Sequence, residues 1–186
     1  GLLIRNELSE QAEPLLRRLL FLQTDVSAEL RRDARRSLAV ILARKQNYRL
    51  FQEATSLMDE NAAETPTIMT DDLRTMATVM RFSPKQSDHL VAIGLLEKID
   101  DRRQMTPEDR WQLARLYIDV GLPKQADPQF DRAAKSGYAS TEFLNDFITY
   151  LIRSEELGQA SEQLGRLPVT FPASDLARLR TLYLVA

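Results

Sequence analysis

The single histidine of this chain, His89, sits beside Asp88, and no cysteine accompanies it. A histidine works as a metal ligand or general base only in company. A metal centre needs further imidazoles, thiolates or carboxylates at ligand spacing, and a nucleophilic triad needs a hydroxyl or thiol presented by a defined turn. Neither surrounds His89, which reads as a residue on a helix surface. The six glycines are scattered, so they build no phosphate-cradling loop. Adjacent acids occur at Asp59-Glu60, Asp71-Asp72 and Asp100-Asp101. Asp71-Asp72 suits the first turn of a helix, where carboxylates favour the dipole without doing chemistry. Asp100-Asp101 follows a helix and faces water, and Asp59-Glu60 has no partner at metal-ligand spacing. Nothing in the placement of the 27 acids favours a hydrolytic pair. The chain is therefore read as no enzyme, with no cofactor and no metal.

The chemistry left over is non-covalent recognition. Trp111, with Arg115 one turn later, is the kind of pair that anchors a peptide when exposed. The bland alternative is that Trp111 packs against a neighbouring helix. Arg81, Arg115 and Arg153 recur at similar intervals, either as a basic stripe for carboxylates or as arginines dressing wet helix faces. The run Arg31-Arg32-Asp33-Ala34-Arg35-Arg36 reads as a solvated helix face. Acids exceed bases by 27 to 25, which leaves no strong attraction for nucleic acid, and no apolar run is long enough to insert in a membrane.

The elements that carry these residues repeat. Writing Leu113, Ala114, Tyr117, Gly121, Ala126, Phe130 and Ala133 and moving on 34 residues gives Phe147, Ile148, Leu151, Glu155, Ala160, Leu164 and Leu167. All pairs but Gly121 and Glu155 are apolar in both copies, and that pair falls at a turn. Thr106, Pro107 and Asp109 form a helix start close to a capping box. The helix they open stops at Gly121. Pro123 suits the next, which stops at Gly137. Ser140 or Thr141 opens a third, Ser154 caps a fourth, and Ser174 caps a fifth beyond Pro168 and Pro172.

Upstream, Thr70 caps a helix through Leu73, Met76, Val79 and Met80, and Ser83-Pro84 opens the next. Ala92, Leu96 and Ile99 keep the spacing of Ala126, Phe130 and Ala133, and Ala12, Leu16 and Leu19 repeat it near the start. Ala28 to Arg44 and Tyr48 to Met58 form another pair of helices, followed by an oversized link from Asn61 to Met69 that contains Pro66. One two-helix unit cannot bury its apolar face alone, and stacking on neighbours does so.

The order Leu113-Ala114, Tyr117, Gly121, Ala126, Phe130 and Ala133, with Pro172 closing the following copy, resembles the tetratricopeptide repeat family. Trp111 lies one place later than the family's usual Trp, and Glu155 stands where Gly121 would repeat. The resemblance implies an all-α fold, a right-handed superhelix of antiparallel helix pairs. Its units are expected at 1–24 (second helix only), 27–60, 70–106, 107–140, 141–174 and 175–186 (first helix only). Both chain ends then fall within repeats, as in a piece of a longer protein.

The resemblance also implies that first helices line a concave face gripping a peptide or helix of a partner protein. On that register Trp111, Arg115, Ile118, Asp119, Asn145, Thr149 and Arg153 are the expected peptide-binding residues. Trp111, displaced by one place, is expected to turn out of the core. The expected function is a non-catalytic protein-binding scaffold, with self-association through exposed repeat ends as a further contact. The alternative is an accessory segment of a larger enzyme or membrane-anchored protein, with the chemistry outside this chain. The compartment does not follow from the residues.

Overall fold

A computed structural model describes the backbone of residues 2–21, 26–64 and 67–186, with side chains from Glu10 onward in those ranges. Among the described residues every regular element is an α-helix. They run α1 (Leu2–Phe21), α2 (Ala28–Arg44), α3 (Tyr48–Ala63), α4 (Thr70–Arg81), α5 (Gln86–Asp101), α6 (Pro107–Asp119), α7 (Pro123–Lys135), α8 (Thr141–Arg153), α9 (Leu157–Gly165) and α10 (Ala173–Val185).

Local chemistry sets the starts. The Ser27, Asn47 and Ser140 side chains accept from the backbone N–H three residues on, satisfying donors that have no partner inside the helix. At α6 the capping box is complete: Asp109 N–H donates to Thr106 Oγ1 at 3.1 Å, and Thr106 N–H donates to Asp109 Oδ2 at 2.8 Å.

Four of the stops share one device. After α6, Gly121 takes φ +80° and Leu122 N–H donates back to Tyr117 O at 2.7 Å. After α7, Gly137 takes φ +79°, with Tyr138 N–H reaching Ala133 O. These are Schellman closures, in which a left-handed residue lets two backbone donors reach the last carbonyls. After α8 and α5 the same closure is made without glycine, by Glu155 at φ +61° and Arg103 at φ +57°.

Several expected boundaries move. α3 continues to Ala63, so the first three residues of the expected link from Asn61 to Met69 are helix, while Pro66 lies outside the described residues. α5 begins at Gln86, and the preceding Ser83 is a buried turn residue whose hydroxyl bonds Asp88. Ser154 does not start α9. It ends α8, and α9 begins behind Glu156. Ser174 lies inside α10, which starts behind Pro172.

The helices stack as successive antiparallel pairs: α2 with α3, α4 with α5, α6 with α7, and α8 with α9. α1 packs on α2, α4 packs on both helices of the pair before it, and α10 does likewise on α8 and α9. Two apolar clusters result. Leu38, Ala39, Leu42, Ala54, Met58 and Val79 form one, and a longer one runs from Leu73 to Leu179. Fully buried Ala114, Ala126 and Ala133 let paired helices approach, and Phe130 and Phe143 fill the space between pairs. Phe130 stacks on Tyr150 at 5.0 Å and on Phe147 at 5.5 Å.

α4 contributes to both clusters, and a polar seam lies where they meet. Asn61, wholly buried on α3, accepts from Arg35 at 3.1 Å and donates to Asp72 Oδ1 and to Arg32 O, each at 3.2 Å. Arg36 pairs with Asp72 at 2.9 Å, and Arg35 also pairs with Glu60 and Glu64. The arginine run expected to face water is therefore half internal, because α3 and α4 bring carboxylates and an amide to its inner side.

Candidate functional site

α6 and α8 lie side by side, and their facing turns gather most of the expected binding residues. Arg115, Ile118, Asp119, Thr149 and Arg153 line one groove of about 190 Å³, floored by Phe130 and Tyr150 and flanked by Asp146. Ile118 and Thr149 are half-buried, while Asp119 and Arg153 are exposed. Thr149 donates its hydroxyl to Asn145 O at 2.7 Å, leaving its methyl and oxygen lone pairs to the groove.

Trp111 is not exposed. Only 7% of its surface is open, and its ring meets Phe143 edge-on at 6.5 Å and Tyr138 at 6.1 Å. Its indole N–H donates to Asp146 Oδ2 at 3.0 Å. The same carboxylate oxygen pairs with Arg115 Nε at 3.3 Å, and the Arg115 guanidinium lies 5.5 Å from the Trp111 ring. The indole faces the following helix pair, where Phe143 and Tyr138 close over it. Asp146 thus ties α6 to α8 and fixes Arg115 at the groove edge. Asn145, away from this groove, accepts a hydrogen bond from Arg178 of α10.

The three arginines at similar intervals differ. Arg153 is exposed and Arg115 is paired to Asp146, whereas Arg81 is half-buried and lines a separate, larger groove between α2, α4 and α6. Burial first, then the positive charges of Arg115 and Arg44, push the Arg81 pKa down to about 10, only partly offset by Asp119 and Asp146.

Elsewhere the chemistry is structural. His89 sits with Nε2 3.0 Å from Ser83 O, and the cleft beside it contains one carboxylate, Asp88, which Ser83 and Ser87 bond. Among the described residues no group of acids and histidine could hold a metal ion. No helix among them is long and apolar enough to cross a membrane. The Tyr117 hydroxyl donates to Glu97 at 2.7 Å, and burial together with that carboxylate raises its pKa.

Sequence reasoning passed over Asp146, Gln112, Arg44 and Asn61. A usable signal existed for Asp146. Several side chains bond a partner 33 to 36 residues away: Arg36 to Asp72, Arg74 to Asp109 and Trp111 to Asp146, with Asn145 accepting from Arg178. The separations of 36, 35, 35 and 33 residues bracket the 34-residue echo of the sequence, seen as contacts instead of matching residues. Comparison with protein-family models, curated proteins and solved structures found no match for this chain.

Proposed function

We propose that the chain is a non-catalytic scaffold of tetratricopeptide-like repeats that holds an extended peptide or helix of a partner protein on the face made by α2, α4, α6, α8 and α10. The division into units at 27–60, 70–106, 107–140 and 141–174, with partial units at either end, belongs to this reading. The observation that carries it is the convergence of Arg115, Ile118, Asp119, Thr149 and Arg153, from two successive first helices, on one groove. An apolar patch between fixed charges suits a peptide: Ile118 offers contact area, while Arg115 and Asp119 offer opposite charges for orientation. Trp111 stands behind Arg115 as a packed core residue that shares Asp146 with it, and Asn145 lies outside the groove, bonded to Arg178 of α10.

Trp111→Ala would test folding more than binding, because it empties a core position. The cleaner test selects peptides from a random library against the native protein. Each is then measured against Ile118→Arg/Thr149→Arg, which fills the groove from two half-buried positions. The double variant is expected to keep its helical circular dichroism and lose at least about tenfold in affinity. Selected peptides that bind the variant as well as the native protein, or a library that yields no binder, would refute the reading.

A further inference from the structure

Most half-buried arginines in this molecule hold a carboxylate. Arg35 pairs with Glu60 and Glu64, Arg36 with Asp72, Arg74 with Asp109, Arg110 with Asp100 and Arg115 with Asp146. Arg81 does not. Its Nε is shut off from solvent without an acceptor, and no hydrogen bond or ion pair reaches its guanidinium from the described residues. Its near contact is the face of the Phe82 ring, 4.6 Å away, which leaves the donor edge of the fork unused. Arg44, exposed and likewise without an ion pair among the described residues, approaches the same ring at 5.9 Å.

A desolvated cation on which the positive charges of Arg115 and Arg44 outweigh the carboxylates of Asp119 and Asp146 is costly, so the arrangement stores an unmet demand for negative charge. The groove that holds Arg81 has a volume of about 370 Å³, room for a few residues of extended chain. On its α6 wall, Gln112 Oε1 is also buried without a donor. The groove thus holds an unused guanidinium fork, with an unused amide oxygen buried in the wall of the facing helix. That combination matches the side-chain carboxylate and backbone N–H of one peptide.

We propose that this groove is a carboxylate-binding site for an extended acidic peptide, in which Arg81 and Arg44 take an Asp or Glu side chain and Gln112 Oε1 accepts a peptide N–H. The proposal rests on the scaffold reading and names the chemistry of its ligand. A phosphate backbone fits less well. α6 starts beside the start of α4, as the Arg74–Asp109 pair shows, so Glu108 and Asp109 stand at the end of the groove away from Arg81. A polymer charged at every step would meet Glu108, whereas a peptide can place its acids at Arg81 and a neutral or basic residue opposite Glu108.

The test is fluorescence anisotropy with a labelled eight-residue Gly/Ser peptide carrying an adjacent Glu pair, and with its Gln-pair analogue. The native protein is expected to bind the Glu peptide at least about tenfold more tightly than the analogue. Arg81→Gln is expected to abolish that difference without lowering the melting temperature, since it removes an unpaired buried charge. Arg44→Gln, on an exposed side chain, is expected to shrink the difference severalfold with the fold untouched. Gln112→Leu is expected to weaken both peptides alike. Equal binding of Glu and Gln peptides, or an unchanged difference in both Arg81→Gln and Arg44→Gln, would overturn the proposal. So would displacement of the Glu peptide by a single-stranded oligonucleotide at lower concentration than by unlabelled peptide. If the Glu peptide fails while library-selected peptides still depend on Ile118 and Thr149, only the ligand chemistry is wrong. If both fail, the scaffold reading falls with it.

Discussion

At the scale of the residue, Trp111 shows how the neighbour decides a side chain's role. Its place in the sequence, one step from the usual core position, suggests a ring turned outward, yet Phe143 and Tyr138 cover it and Asp146 takes its N–H. A helix pattern reports which face is apolar, but not how far the next pair slides along that face. Packing against a neighbouring helix was one of the two readings the position allowed, and the 35-residue separation from Asp146 was there to decide between them. Trp111→Ala is expected to cost about 3–5 kcal/mol in urea unfolding, from the cavity and the stranded carboxylate together. Trp111→Phe keeps most of the packing and loses the hydrogen bond, for a cost of about 1–2 kcal/mol. A Trp111→Ala variant with native stability would mean that the ring is not part of the core.

At the scale of the element, some starts and stops were legible from polar caps or glycine, whereas Thr70, expected as a cap, lies inside α4 behind Met69, and Ser154 and Ser174 likewise start no helix. Thr106 with Asp109, Ser140, Gly121 and Gly137 act as their residue types suggest. The end of α8 was not, because Glu155 takes the left-handed conformation that Gly121 takes one repeat earlier, and nothing about a glutamate advertises it. Without a glycine to mark the stop, Ser154 looked like a start. The left-handed region costs a residue with a Cβ about 1 kcal/mol relative to glycine. Glu155→Gly is therefore expected to stabilise the protein by about 0.5–1 kcal/mol, whereas Gly121→Ala should destabilise it by a similar amount. At Gly121 an added Cβ meets nothing within 4 Å, so the backbone conformation alone sets the cost. Thermal unfolding of both variants gives the comparison, and a destabilised Glu155→Gly would contradict the strain argument.

At the scale of the whole molecule, the all-α stacking of paired helices was legible from the apolar echo, while the polar seam between the two apolar clusters was not. The seam involves Arg35, Arg36 and Asp72, whose types suggest wet surface, and Asn61, expected in a link. Only the packing of α3 and α4 on α2 turns them inward. Asn61→Leu removes the amide that serves Arg35 and Asp72 together, at an expected cost of about 1–3 kcal/mol. The loss is local to the joint, so hydrogen exchange should rise first in α2 and α3 and leave α6 to α8 protected. Uniform loosening across all helices would show that the two clusters unfold as one. The one-repeat-apart bonds carry a mechanical consequence. From α2 to α10 four of them run along the first helices, from Arg36 through Arg74 and Asp146 to Arg178, as a line of stitches down one side of a stack. On the other side Arg17 ties α1 to α3 through Glu53. A strip sewn more densely on one edge bends more readily than it stretches. Ions that loosen the stitches, or a ligand lying across them, should therefore change the curvature of the stack before its length.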